Sequence, residues 1–151
     1  MTDTDMSVNQ RLEWLARHLS HAGHRVTHQR LEVFREVIQT DEHPDAEMVF
    51  QGVQKRVPSI SRNTVYQTLQ FLVDQGCIAP FGRHHASHRY DRNMERHQHL
   101  VCIQCGKVTD VAQQDPSISP GHGDPEDWGR VDSVHVEWRG VCRHCLTNEA
   151  H

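Results

Sequence analysis

Two C-x2-C pairs, Cys102–Cys105 and Cys142–Cys145, stand thirty-six residues apart in a chain of 151. In a C-x2-C knuckle both sulfurs and the backbone of the turn wrap one ion. Two knuckles supply four thiolates at tetrahedral geometry, which suits Zn2+. A thioredoxin-like redox pair would need βαβ surroundings, and neither pair has them. Closing the site pins the last strand of the chain to the "CIQCG" hairpin, so the binding energy of the ion counts as folding energy for a small sheet with a thin core. The fifth cysteine, Cys77, opens an apolar run and reads as a small buried hydrophobe.

The redox argument depends on compartment. No apolar run approaches the roughly eighteen residues needed to span a bilayer, and "MTDTDMSVNQ" has no basic region followed by an apolar stretch. A cytoplasmic protein with reduced thiols is expected, which argues against disulfides. Net charge is −4, a balance that alone would disfavour a nucleic-acid partner. Its distribution matters more. Residues 1–92 carry eleven Lys/Arg and eleven Asp/Glu, and residues 93–151 carry five and nine. The deficit therefore lies in the second part, and a basic stripe on the first remains open. Fourteen histidines add a supply of metal ligands that titrate near neutral pH.

Periodicity divides the chain in the same place. Leu12, Leu15, Ala16 and Leu19 form one helical stripe that Gly23 should stop. Thr27 can cap a second helix with Leu31, Phe34, Val37 and Ile38 inward. In "HPDAE", Asp45 caps a third helix, Glu47 favours its positive end, and Ala46, Val49, Phe50 and Val53 face in. That helix ends at or before Val57, which precedes Pro58. Ser61 caps a fourth, with Val65, Leu69, Leu72 and Val73, closed by Gly76. Two helices of about twelve residues joined by a tight turn are the pattern of a helix-turn-helix. The strand-like "CIAPFG" and "SHRYDR" around "RHHA" would make its wing. From about Met94 the period changes to two: "HQHLVC", "KVTDV" and "VHVEWRGVC" alternate, while the Pro/Gly-rich stretch 112–129 reads as a loop. The expected fold class is α+β: a winged helix over 1–92 and a small, mostly strand domain over 93–151.

A second cluster of ligands sits beside the first knuckle. His97 and His99 are two apart on a strand and share a face, with Asp110 on the returning strand. Two imidazoles and a carboxylate suit Fe2+, Mn2+ or Zn2+ rather than a thiophilic ion. Taken alone, the pattern also fits a solvated strand face. It fits as well a non-haem iron enzyme with open coordination positions, although no cofactor-binding motif accompanies it.

"RVTHQRLEVF", "HPDAEMVFQGVQKRVPSISRNTVYQTLQFLVDQGCI", "HRYD" and "RHQHLVCIQCGKVTDV", with the terminal C-x2-C, resemble the ferric uptake regulator (Fur) family over nearly the whole chain, about Leu12 to Cys145. The resemblance implies a dimeric winged-helix repressor, not an enzyme, whose second domain dimerises around a structural Zn(Cys)4 site. It also implies a regulatory Fe2+ or Mn2+ site. Carried over residue by residue, its ligands are His43 and Asp91 from the first domain and His97, His99 and Asp110 from the second. A metal bridging two domains would convert binding free energy into a population shift toward a DNA-competent dimer.

Asp at both carboxylate positions resembles the peroxide-sensing (PerR) branch, where iron-uptake regulators tend to have Glu at the first. In that branch bound Fe2+ reacts with hydrogen peroxide and oxidises a ligand histidine, here His43 or His97, releasing metal and DNA. An iron- or manganese-responsive uptake regulator without peroxide chemistry is the alternative within the family. Three positions depart from the family pattern. Arg96 and Gln98 flank the histidines where many iron regulators carry further ligands, the 112–129 loop stands where a helix is usual, and Gln67 stands where Arg is frequent.

For DNA, the outer face of the fourth helix offers Arg62, Asn63, Tyr66, Gln67 and Gln70. Arg pairs with guanine, Asn or Gln with adenine, and Tyr66 can pack on thymine methyls. Arg25 matches a family position that enters a narrow A/T-rich minor groove. The resemblance thus implies a homodimer that reads a palindromic, A/T-rich operator. His84, His85 and His88 around the wing read as polar contacts to phosphate, with a third metal site as the alternative.

Overall fold

The computed structural model describes residues 6–40, 42–82, 88–95, 97–112, 129 and 136–149. The chain divides into two compact units, Met1–Glu95 and Arg96–His151.

The first unit holds four helices: α1 (Val8–His21), α2 (His28–Ile38), α3 (Ala46–Gln54) and α4 (Arg62–Asp74). Each starts at a side chain that accepts from an otherwise orphaned amide: Ser7 from Gln10, Thr27 from Arg30, Asp45 from Met48 and Ser61 from Thr64. Ser7 and Gln10 form a reciprocal capping box. Gly23 and Gly76, at φ 76° and 67°, lie just past α1 and α4 in the left-handed region that favours glycine.

The inward faces meet in one core. Leu15 and Leu19 come from α1, Val49 and Val53 from α3, and Val65, Leu69 and Leu72 from α4, all fully buried. Burial of each such side chain contributes about 1.5–3 kcal/mol. On α2 the expected Phe34, Val37 and Ile38 are buried; Val33 joins them fully buried, whereas Leu31 packs on the core margin. Glu32 is also buried and meets Arg56 beyond α3, which in turn reaches Glu36 at 2.7 Å. Gly52 faces this network inside α3, where a Cβ would collide with the Glu36 side chain.

After α4 come β1 (Ala79–Phe81) and β2 (Arg89–Asp91), antiparallel with Ala79 opposite Asp91. The wing tip, with His84 and His85, lies outside the described residues.

The second unit is a three-stranded sheet in the order β4-β3-β5, from β3 (His97–Cys102), β4 (Val108–Ala112) and β5 (Glu137–Gly140). Strand β3 pairs antiparallel with β4 and parallel with β5. Within "VHVEWRGVC" the described residues form a strand over 137–140, and a helix not expected from the sequence, α5 (Arg143–Glu149), follows two residues later. Most of the Pro/Gly loop, residues 113–128, and Arg96 lie outside the described residues. Among the described residues, Cys102 alone represents this unit in the buried apolar set, while Leu100, Ile103, Trp138 and Leu146 are exposed.

Candidate metal centres and nucleic-acid interface

Strand β3 ends in the first knuckle. The amide of Cys102 donates to the Lys107 carbonyl at 2.9 Å, Gly106 (φ 73°) donates back to Cys102 at 3.0 Å, and the turn presents Cys102 and Cys105 together. Cys142 and Cys145 lie at the start of α5, so a helix end supplies the second knuckle. The four Sγ atoms lie within 4.8 Å of one another. Cys102–Cys145 is 3.9 Å and Cys105–Cys142 is 3.8 Å. A tetrahedron with metal–sulfur bonds of about 2.3 Å has edges of about 3.8 Å, so the thiols already have the spacing of a tetrahedral thiolate site. Backbone amides of Cys105 and Cys142 hold the Cys102 thiol down to about 6. Hydrogen bonding with Cys142, together with burial and the other thiols, pushes Cys145 up to about 12.

In the first unit, an isolated antiparallel bridge joins Asp45 to Arg89, and the Tyr90 amide donates to the Pro44 carbonyl at 2.9 Å. Continued by two residues, this register sets His43 opposite Asp91. Their side chains meet, Nε2 to Oδ2 at 3.3 Å, and are 4% and 3% exposed. Phe81 of β1 packs against the imidazole at a centroid distance of 5.3 Å.

In the second unit, His99 is the direct register partner of Asp110 and His97 shares its face. The two Nε2 atoms are 2.9 Å apart, and Asp110 Oδ1 lies 3.8 Å from His97 Nε2 and 3.6 Å from His99 Nε2. Ligand atoms about 2.1 Å from a common ion are about 3–3.5 Å apart. These three separations bracket that spacing, so shifts of a few tenths of an ångström would seat a divalent cation. The alternation that turns the histidines one way turns Cys102 to the opposite face of β3. Gln98, on that face, accepts the Trp138 indole at 2.7 Å.

The outer face of α4 exposes Arg62, Asn63, Tyr66, Gln67 and Gln70 together. Arg25 is exposed on the α1–α2 connection, its carbonyl accepting from Arg30 Nη1, and the Arg30 guanidinium lies 3.9 Å over the Phe71 ring of α4. Arg62, exposed as expected on this face, also has a partner within the chain. Glu47, in the first turn of α3, takes its Nε and Nη2 in a two-pronged pair at 3.0 and 2.9 Å. Glu47 is the residue that sequence reasoning left as a helix-dipole partner. Fifteen positions separate the pair, and only the packing of α3 against α4 joins it. His88 is exposed beside the wing.

Four helices with a two-stranded wing, followed by a strand-rich unit that gathers four thiols, define a winged-helix metalloregulator. The sequence profile of the ferric uptake regulator family matches residues 21–119. The peroxide-responsive repressor PerR of Staphylococcus aureus (strain USA300) is 32% identical over 141 residues, covering 92% of this chain and 94% of that protein. Among solved structures, the Campylobacter jejuni peroxide stress regulator matches with a TM-score of 0.65 and 28% identity, covering 89% of this chain and 98% of that one. The Helicobacter pylori ferric uptake regulator Fur shares the fold at a TM-score of 0.72 and 23% identity, over 93% and 95% of the two chains. The chain belongs to the ferric uptake regulator family, and its fold is the α+β winged helix plus strand-rich domain of that family.

Proposed function

We propose that this chain is a DNA-binding repressor that responds to hydrogen peroxide, with Zn2+ in the thiolate site and Fe2+ or Mn2+ as regulatory ion. The observation that carries the reading is the convergence of His97, His99 and Asp110 on one point of the second unit. The buried His43–Asp91 pair of the first unit supports it as the other contributor of the family's ligand set. Aspartate at both carboxylate positions favours the peroxide branch, as do the peroxide-responsive relatives.

Fe2+, if held by these residues, would lend one electron to open the O–O bond of hydrogen peroxide and recover it from the oxidised ring. The imidazoles of His43 and His97, as ligands of that ion, would each offer a ring C–H bond to that chemistry. One oxygen atom enters this bond, the second leaves as water, and the net change is a two-electron oxidation of the ring by peroxide. An oxidised imidazole is a poorer donor, so ion and DNA are released together. Arg25, Arg62, Asn63, Tyr66 and Gln67 read the duplex, and the exposed Leu100 and Trp138 of the second unit suit contact with a second copy.

The test uses a random-sequence duplex pool enriched on the Mn2+-loaded chain. Binding is measured without oxygen in Fe2+ and in Mn2+, then after peroxide, with oxygen addition mapped by peptide mass spectrometry. The expected result is loss of binding only in the Fe2+ form, with 16 Da added at His43 or His97 as one oxygen requires. Metal-dependent binding with unmodified histidines would identify an iron- or manganese-responsive regulator instead.

A further inference from the structure

We propose that Glu47 is the specificity-determining positioning residue of the DNA interface: it converts Arg62 from a general phosphate contact into a fixed base reader. The inference rests on the reading of α4 as the recognition helix.

Three donors fix the Glu47 carboxylate. Arg62 Nη2 and Gln51 Nε2 reach Oε1 at 2.9 and 3.3 Å, and Arg62 Nε reaches Oε2 at 3.0 Å. Beneath the fork, the Arg62 guanidinium carbon lies 4.4 Å from the centre of the buried Phe50 ring. A long side chain in the first turn of an exposed helix is thus held on both its charged edge and its flat face. Its rotamer entropy is spent before any ligand arrives. The pair remains open to solvent, with 59% of the Arg62 side chain and 39% of the Glu47 side chain exposed.

Guanidinium geometry then decides what Arg62 offers. Nε and one Nη2 proton are committed to Glu47, which leaves both Nη1 protons and the second Nη2 proton. These are suited to the paired acceptors of a guanine edge, and they share the exposed face of Asn63, Tyr66 and Gln67. Phosphate is served less well. An arginine neutralised by a carboxylate releases fewer counterions on binding, so it adds less to sequence-independent affinity. Glu47 therefore lowers non-specific binding and raises discrimination in one interaction.

The experiment compares wild type, E47Q, R62A and the double variant as full-length chains loaded with Zn2+ and Mn2+. The probes are the enriched duplex and poly(dI-dC), each titrated across salt concentration. For E47Q, affinity for poly(dI-dC) should rise and its salt slope should steepen by about one unit per protomer. The ratio of specific to non-specific affinity should fall about tenfold. In the R62A background, E47Q should leave both quantities unchanged. An equal rise in that background would show a bulk charge effect on phosphate and overturn the inference. An unchanged specificity ratio in E47Q would overturn it as well. If no sequence is enriched and wild type fails to bind either duplex, the DNA-binding reading itself falls, and this inference with it.

Discussion

Cys77 shows how burial sets the chemistry of one residue. It is 3% exposed within the first unit, and burial pushes its thiol up to about 11. The folded protein therefore holds this proton more tightly than the unfolded chain, whose thiol titrates near 9.0. Stability from this group is intact below pH 9 and is lost as pH rises toward 11. The Cys77→Val variant should lose less stability over that interval than wild type, as read from urea midpoints at each pH. Native Cys77 should resist alkylation at pH 8, where an exposed thiol reacts. Rapid labelling of Cys77 in the folded chain would contradict its placement. Cys102 obeys the opposite rule: amides aimed at its sulfur favour the thiolate, and that is the form a cation requires.

At the level of elements, the contact of α2 with the turn after α3 rests on charge as well as on apolar packing. Burial alone would raise the Glu32 carboxyl, but the Arg56 hydrogen bond and the charges of Arg35 and Arg56 hold it below its usual value. Replacing Arg56 with Met leaves Glu32 buried with its main counter-charge gone, and Glu36 loses its partner. A loss of about 1–3 kcal/mol is expected, measured by urea unfolding, since Arg56 is partly solvated. Local signals explain why so much of the helical layout was legible. Thr27, Asp45 and Ser61 cap their helices through amides three positions on, and a pattern of that range is written in consecutive letters. The β3–β4 hairpin was equally readable, because His97, His99 and Asp110 meet through alternation and a short turn. Three features were hidden for a common reason, that their partners are distant in sequence. Val33 replaces Leu31 in the core because neighbouring helices choose the buried arc of α2. Arg56 and Glu32 are twenty-four positions apart, and Arg62 and Glu47 fifteen. Helix α5 was obscured because its seven residues carry no apolar stripe and closely follow a strand.

For the whole molecule, the unequal share of core between the two units sets the consequences of metal loss. The buried apolar cluster lies entirely within the first unit, whereas the described part of the second is a three-stranded sheet with Cys102 at its buried corner. Such a sheet is marginal without a cross-link. Cys102→Ser should therefore abolish zinc retention and amide protection in β3, β4 and β5 while α1–α4 stay protected, as followed by zinc stoichiometry and hydrogen exchange. A variant that keeps zinc and a protected sheet would refute the structural role of the thiolates. Strand β3 carries this dependence further. Cys102 on one face and His99 on the other are three residues apart on a single strand, and the same hairpin register sets His99 against Asp110. The imidazoles and the carboxylate hold their spacing only while that register holds. On the proposed function, this coupling sets an order of maturation, thiolates first and imidazoles second. A molecule whose thiolate site is empty would present no imidazole site to be loaded or oxidised. Every copy able to report a signal would already have passed that checkpoint.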